Sequence, residues 1–338
     1  MADDWRQHID ALHGELVRRD DPAAWVSEAD AVDASYRYPH LAVRGPVFGL
    51  AAREVGDTAP WRLLSDVADG TPQQARDALN SLLWFRAKDE AEGRAQRRAL
   101  LRAVGTLERE RVNEVTVLGT RYRVVRGEEF ARVGDGGLEP PRPTDPEPAV
   151  PSWDETPAAP SHDVGFALDP GRSCGLMAGA LRLALRGFAY AGEDTPAAPR
   201  ADAERAVRDF PDVVLLPVSF GVAERHGERW RPRGALMPTP HDARKVLVHG
   251  LTEFWPLLYG LGTADRAAFA RAAAEFKAAG RANEVVVRER CFRICRVERM
   301  MRVGPDGPEP ARPSDQQTTG PMKLHPTMDE DGTIHYDD

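Results

Sequence analysis

Two cysteines stand four residues apart near the C-terminal end of the sequence, Cys291 and Cys295 in the segment CFRIC. A thiol pair can bind zinc, but structural zinc sites usually take two thiolates from a C-x2-C knuckle, so that both converge on one ion. Apolar and polar residues alternate here, which predicts a β-strand, and positions i and i+4 of a strand lie roughly 13 Å apart. We therefore interpret both cysteines as packing or surface residues and predict no metal site.

Arginines are the second group of candidates, because a guanidinium presents a planar fork to a carboxylate or a phosphate. Several of them lie on the polar side of two predicted hairpin strands, where a row of arginines can bind an anionic ligand. The alternative is a solvated sheet face on which the arginines pair with neighbouring glutamates. The candidate ligand-binding residues are Arg121, Tyr122, Arg123, Arg293 and Arg296.

Other chemical patterns are weaker. His162-Asp163 and His241-Asp242 resemble the His-Asp pairs of metal hydrolases, but no other pattern supplies the remaining ligands. The C-terminal LHPTMDEDGTIHYDD is acidic without the spacing of an EF-hand loop, and is more simply a turn in a solvated tail. Nucleophile-elbow, P-loop, H-E-x-x-H and dinucleotide-binding motifs are all missing from the sequence. We predict no cofactor, and the missing motifs favour a protein that is not an enzyme.

The composition bounds the class of protein. The chain has 338 residues, 42% of them hydrophobic and 29% charged, which suits a soluble globular protein of two domains. Its net charge of −8 disfavours a nucleic-acid partner or an anionic membrane. The most apolar stretch, residues 175–191, contains Arg182 and Arg186 and is too short to span a bilayer. Three cysteines, an odd number, favour a reducing cytoplasm.

The segment that contains the candidate arginines occurs twice. Residues 113–145 and 283–315 align without gaps, and 16 of the 33 positions are identical. Cys295 aligns with Val125, so one copy of the strand is built without sulfur at that position. Shorter matches extend the similarity upstream, and they predict an internal duplication. The expected organisation is a first α+β repeat at 1–147, a Pro-rich linker at 148–171, a second α+β repeat at 172–317 and an acidic C-terminal tail at 318–338.

Each repeat is predicted to pack helices on one face of a small antiparallel sheet, with a pseudo-two-fold axis between the repeats, as in a homodimer. Helices are expected at 3–19, from Pro72 after a Thr71 cap, at 92–110, at 175–190 and at 263–280 after a Thr263 cap. Strands are expected at 40–52 and 213–223, in a hairpin over 115–124, and in a further short strand at 130–133.

The repeated ending RYRVVRGEEFARVGDGGLEPPRPTDPEP and the tail LHPTMDEDGTIHYDD resemble an actinobacterial family common in Streptomyces, the domain of unknown function 5954. Some members carry the label PE-PGRS, although no glycine-rich tract is present here. The resemblance covers nearly the whole chain and implies a cytoplasmic protein, without an activity to transfer.

We therefore predict a binding or scaffolding protein built as an intramolecular pseudo-dimer, with an unknown protein or a small anionic ligand as its partner. The alternative is an enzyme or a small-ligand sensor that binds an anionic ligand in the cleft between the repeats.

Overall fold

A computed structural model describes residues 21–153, 162–190, 192 and 195–336. The helix expected at 3–19 lies outside the described residues. Within those ranges, no helix combines the length and the apolar composition that crossing a bilayer requires.

The described chain alternates helices and antiparallel strands in two halves. The first half comprises α1 (Pro22–Arg37), β1 (His40–Glu54), β2 (Arg62–Leu63), α2 (Pro72–Asp89), α3 (Arg94–Leu107), β3 (Glu114–Val117), β4 (Thr120–Gly134) and β5 (Gly137–Leu138). The second half comprises α4 (Leu176–Leu185), α5 (Ala197–Asp209), β6 (Asp212–Leu215), β7 (Ser219–His226), β8 (Arg229–Met237), α6 (Pro240–His249), a π-helical turn (Gly250–Phe254), α7 (Trp255–Leu258), α8 (Thr263–Ala278), β9 (Glu284–Val287), β10 (Arg290–Gly304) and β11 (Gly307–Pro308). A small hairpin of β12 (Thr327–Met328) and β13 (Ile334–His335) follows.

Several local predictions are confirmed. Helix α2 begins with the expected capping box, in which the Thr71 hydroxyl accepts from the backbone N–H of Gln74, and the Gln74 side chain accepts from that of Thr71. The hairpin of β3 and β4 forms where the period-two pattern places it.

Other local predictions are wrong. Helix α8 is capped by Gly262 instead of Thr263, which is its first residue. The separate strand at 130–133 is the end of β4, which runs for 15 residues. Helix α1 was not expected; it buries only Ala34, so its sequence has no apolar stripe to indicate it.

One curled antiparallel sheet joins the two halves, with the strand order β2-β1-β4-β10-β7-β8. The central strands β4 and β10 pair so that Glu129 lies opposite Arg299. These two residues also occupy equivalent positions of the aligned segments 113–145 and 283–315. The flanking pairs are images of one another, Glu128 with Met300 and Phe130 with Glu298. If each residue of one strand is replaced by its aligned residue in the other, the pairing of β4 with β10 is therefore unchanged.

Each half buries one face of its own helices against its part of the sheet. In the first half, Leu79 and Leu83 of α2 share a core with Phe48 and Val124 of the strands. The equivalent core of the second half contains Leu247, Phe269, Phe276, Phe220 and Ile294. Burial of apolar surface on this scale is the main force that holds helices to a sheet.

The C-terminal hairpin packs onto the first half. Met328 is buried in the first core, and the Trp84 Nε1–H donates to the carbonyl of Pro326 at 3.2 Å. The His325 ring stacks on Trp84 with 4.7 Å between ring centroids. Part of the segment expected as an acidic tail, 318–338, is therefore held against α2.

Candidate functional site

Arg121 and Arg123 lie together on one face of β4. Arg121 donates to both oxygens of Asp306 at 3.0 and 3.1 Å, and Arg123 donates to the same carboxylate at 2.6 Å. These hydrogen bonds, from Arg121 first and then Arg123, lower the pKa of Asp306 to about 2. The Arg123 guanidinium also donates to the carbonyl of Pro308 at 3.0 Å and lies 4.7 Å from the Trp61 ring. Since Asp306 and Pro308 follow β10, these two arginines hold a turn of the other half.

Arg293 and Arg296, in the second half, bind groups that follow β4 of the first half. Arg293 donates to the carbonyl of Leu138 at 3.0 Å, and Arg296 donates to Asp145 at 3.2 Å. Leu138 and Asp145 follow β4, so the arginines of the second half hold a segment that continues from the first.

The segments that follow the two central strands exchange places, and we term residues 139–147 and 309–317 the crossing segments. The carbonyl of Glu139 accepts the backbone N–H of Arg296 at 2.9 Å, and the carbonyl of Glu309 accepts that of Arg126 at 2.9 Å. Arg126, almost completely buried, also pairs with Asp315. The arginines at aligned positions of the two halves therefore hold in place the segment that each half receives from the other.

The structure does not bring the five candidate residues to one place. Tyr122 is buried in the first core, where its hydroxyl accepts from Arg86. His241, of the second His-Asp pair, contacts the carbonyl of Ser152 at 2.9 Å, away from these residues' partners. The anion-binding role of the arginines stays a prediction, and the contacts that the structure gives them are to carboxylates and carbonyls of the same chain.

A cavity of about 390 Å³ lies between the halves, within the size range of small-molecule sites. Its lining is mostly apolar and comes from β1, β4 and β5 on one side and from β7, β8 and β10 on the other. The lining residues are Ala42, Val43, Arg44, Glu129, Phe130, Ala131, Val133, Leu138, Ala223, Glu228, Arg229, Trp230, Pro232, Cys295 and Val297.

Glu129 is the buried charged group of this cavity. Its side chain is 6% exposed, and Oε1 lies 3.0 Å from Nε of Arg44. Oε2 is buried and has no hydrogen-bond partner among the residues that the structure describes. Burial raises the pKa of Glu129, although Arg44 and Arg299 act in the opposite direction. A β-bulge in β1 between Val43 and Gly45, where Gly45 has a φ of +126°, places Arg44 at this point.

Cys295 also lines the cavity, and its environment makes it a poor nucleophile. Burial raises the pKa of its thiol to about 12, and Sγ lies 3.4 Å from the carbonyl oxygen of Gly221. Because the thiolate is the reactive form of cysteine, this thiol is nearly inert near neutral pH.

One group of side chains has the composition of a metal site. Among the described residues, Asp66, His162 and Asp163 offer ligand atoms that lie within 4.8 Å of one another. Arg299 donates to both oxygens of Asp163 and donates to the Ser219 hydroxyl at 2.7 Å. Its guanidinium therefore already supplies the positive charge that this carboxylate needs.

A sequence model of a family of unknown function, DUF5954, matches residues 21–318. The chain belongs to this family. No curated protein and no solved structure matches the chain. The region shared with DUF5954 contains both halves, the crossing segments and the cavity, and it ends before the C-terminal hairpin.

Sequence reasoning missed Glu129, although a signal for it was present. Glu129 and Arg299 align in the repeated segments with opposite charge, whereas the flanking Glu128/Glu298 and Arg132/Arg302 positions keep theirs. A charge reversal at one position of an otherwise similar pair of strands indicates that the two halves place different groups there.

Proposed function

We propose that this DUF5954 chain is a non-enzymatic binding protein, built as an intramolecular pseudo-dimer, that binds a small and largely apolar ligand in the cavity between its halves. The observations that carry the proposal are the largely apolar cavity and, in its lining, the buried carboxylate of Glu129, whose Oε2 has no partner in the described part of the chain. Buried polar atoms in folded proteins almost always have hydrogen-bond partners. Oε2 has almost no accessible surface in this conformation, so a ligand in the cavity would supply the missing partner once the Glu129 side chain turns toward it.

The pseudo-dimer part of the proposal rests on two observations. The register of β4 and β10 is unchanged when the halves are exchanged, and each half receives a crossing segment from the other. Reciprocal exchange of this kind is how two copies of one unit form an intertwined homodimer. A fused chain can then change one copy of a site without changing the other.

The sequence-based alternative was an enzyme or sensor that binds an anion in the cleft. Arg44 and Arg229 do line the cavity, but Arg44 already pairs with Glu129, and the buried thiol of Cys295 is a poor nucleophile. The cavity therefore favours ligand binding over catalysis and a mostly apolar ligand over an anion. We place the protein in the cytoplasm as part of the same proposal, because three cysteines cannot all be paired within one chain.

The test uses a neutral apolar probe, phenylbutanol, with the full chain. Ligands of this size gain roughly 0.3–0.5 kcal/mol per heavy atom, which gives a dissociation constant of roughly a millimolar. At ten times that constant, the free energy of unfolding should rise by about 1.4 kcal/mol, measured as an increase in melting temperature.

Matched substitutions on β1 make the test specific. Ala42 lines the cavity and is exposed at its mouth, so Ala42→Trp should fill the site without disturbing the core. Leu41 is the adjacent residue and points to the other face of the strand, so Leu41→Trp is the control. We expect the probe to stabilise the parent and Leu41→Trp but not Ala42→Trp. Equal stabilisation of all three proteins, or of none, would contradict the proposed site.

A further inference from the structure

The place in the first half that is equivalent to the cavity is filled by the chain itself. Val125 and Val303 align with Cys295 and Val133 of the cavity. Ala51 pairs with Arg123 as Ala223 pairs with the aligned Arg293, and Trp61 and Trp230 lie against the same two arginines. Ala51, Trp61, Val125 and Val303 therefore stand where the cavity has Ala223, Trp230, Cys295 and Val133. In the first half, these four side chains are buried in one core cluster that also contains Leu168, which is only 2% exposed. The two halves therefore build the same walls, but only one of the two sites is filled from within the described chain.

The filling segment comes from the end of the predicted linker. The backbone N–H of Leu168 donates to the carbonyl of Trp61 at 2.8 Å, and the N–H of Leu63 donates to the carbonyl of Phe166 at 3.0 Å. The segment thus adds to the edge of β2 and places the Leu168 side chain among the wall residues.

The same segment also neutralises a charge in the wall. Arg299 is 1% exposed, and Asp163 of the filling segment accepts from its guanidinium at 2.9 Å. At the equivalent position the cavity has Glu129, whose Oε2 lacks a partner within the described residues. The filled site therefore has a cation in its wall, Arg299, and the segment that fills it brings an anion, Asp163, and an apolar side chain, Leu168. The cavity has an anion in its wall, Glu129.

We propose that the ligand of the cavity is a small apolar amine. Its ammonium group donates to the Glu129 carboxylate, which turns toward the cavity to receive it, and its apolar body takes the place that Leu168 fills in the other half. This inference rests on the proposed function and names the chemistry of the ligand. Oε1 of Glu129 pairs with Arg44, and Oε2 is buried without a partner in the described chain, so Oε2 is the oxygen that would accept from the ligand.

A free small molecule fits the site better than an extended peptide does. Leu63 pairs with Ala51 in β2 and uses its outward N–H to bind the filling segment. Pro232 pairs with Ala223 in β8 at the matching position, and proline has no N–H to donate. A peptide strand added to the edge of β8 would therefore lack the backbone hydrogen bond that the Leu63 N–H makes in the first half. An amine inside the cavity does not need this backbone donor.

The experiment compares phenylbutylamine with phenylbutanol, which have nearly the same shape, by calorimetric titration of the full chain at neutral pH. A charge-assisted hydrogen bond in a buried site predicts that the amine binds at least about tenfold more tightly. Glu129→Gln should remove this preference, so that the amine and the alcohol bind within about twofold of one another. The control is Glu228→Gln, at the exposed rim of the same cavity, which should keep the preference.

A second variant covers the case in which Glu129→Gln does not fold. Arg44 is 42% exposed and competes for the same carboxylate, so Arg44→Met should fold and strengthen amine binding by a few-fold. Equal binding of amine and alcohol would overturn the amine assignment and leave the proposed function standing, whereas binding of neither would overturn both. Tighter binding of a peptide copied from residues 163–168, with lysine in place of the aspartate, would overturn the small-molecule assignment.

Discussion

The salt bridge between Arg299 and Asp163 joins the centre of the sheet to the segment before α4. Its loss should lower the free energy of unfolding by several kcal/mol. Arg299 is 1% exposed, and the side chain of Asp163 is fully buried. In the variant Asp163→Asn the shape of the side chain is kept and its charge is lost. The Arg299 guanidinium then stays in the core without its counter-ion. The carboxylates that remain nearby among the described residues are Glu129, across the central strand pair, and Asp66, beside position 163.

The magnitude follows from the geometry. At an effective dielectric constant near 20, two unit charges about 3 Å apart attract by roughly 5 kcal/mol. Breaking a buried ion pair by removing one partner costs about 3–5 kcal/mol. Because Glu129 and the acceptors Pro217 and Ser219 remain near the guanidinium, we expect the lower end, a loss of about 3 kcal/mol in the free energy of unfolding.

Urea unfolding followed by tryptophan fluorescence measures this loss, with the dependence on urea concentration compared between variants. The double variant Asp163→Asn with Arg299→Met is the control, since it removes both charges and leaves an amide oxygen to accept the backbone N–H of Val67. It should recover at least about 1 kcal/mol relative to Asp163→Asn alone. A loss below about 1 kcal/mol in the single variant, or a double variant less stable than the single one, would refute the reasoning.

Three further predictions concern other parts of the molecule. Burial, aided by two neighbouring carboxylates, raises the pKa of Asp69 to about 6. An unfolded aspartate titrates near 4, so the folded state loses stability as the pH rises from about 4 to 6. Asp69→Asn should therefore raise the free energy of unfolding by about 1 kcal/mol above pH 7 and leave it unchanged below pH 4, measured by urea unfolding at both pH values. Asp315→Asn and Asp145→Asn each weaken one crossing segment, and both should lower the urea midpoint by a similar amount, worth about 2–3 kcal/mol; a cost confined to one of them would contradict the reciprocal exchange. Cys295 should react with a maleimide at least about a hundredfold more slowly in the folded chain than in urea, because its pKa is raised to about 12; equal rates would show that the thiol is accessible and ionisable.

Local sequence patterns predicted the elements whose signals lie within a few residues of one another. The capping box at Thr71 and Gln74 fixes the start of α2, and the period-two alternation fixes the hairpin of β3 and β4. Helix α1 escaped prediction because nearly all of its side chains face solvent, so burial leaves no pattern in its sequence.

The candidate site was only partly predictable. Sequence identified the arginines at equivalent positions but not their partners, because Asp306 and Pro308 reach Arg123 from more than 180 residues away. A guanidinium that binds a ligand and one that holds a distant turn look alike in a sequence, since both need the same planar donor.

The sequence by itself determined that two similar segments exist, that each forms a hairpin with arginines on its polar face, and that Glu129 and Arg299 differ in charge at matching positions. The tertiary structure alone decided that these two residues meet across the central strands and that residues 139–147 and 309–317 cross between the halves. It also decided that Leu168 fills one of two similar sites while a cavity remains at the other. The reason is physical: secondary structure follows from neighbours in the chain, whereas a cavity exists only where packing between distant segments leaves a space unfilled.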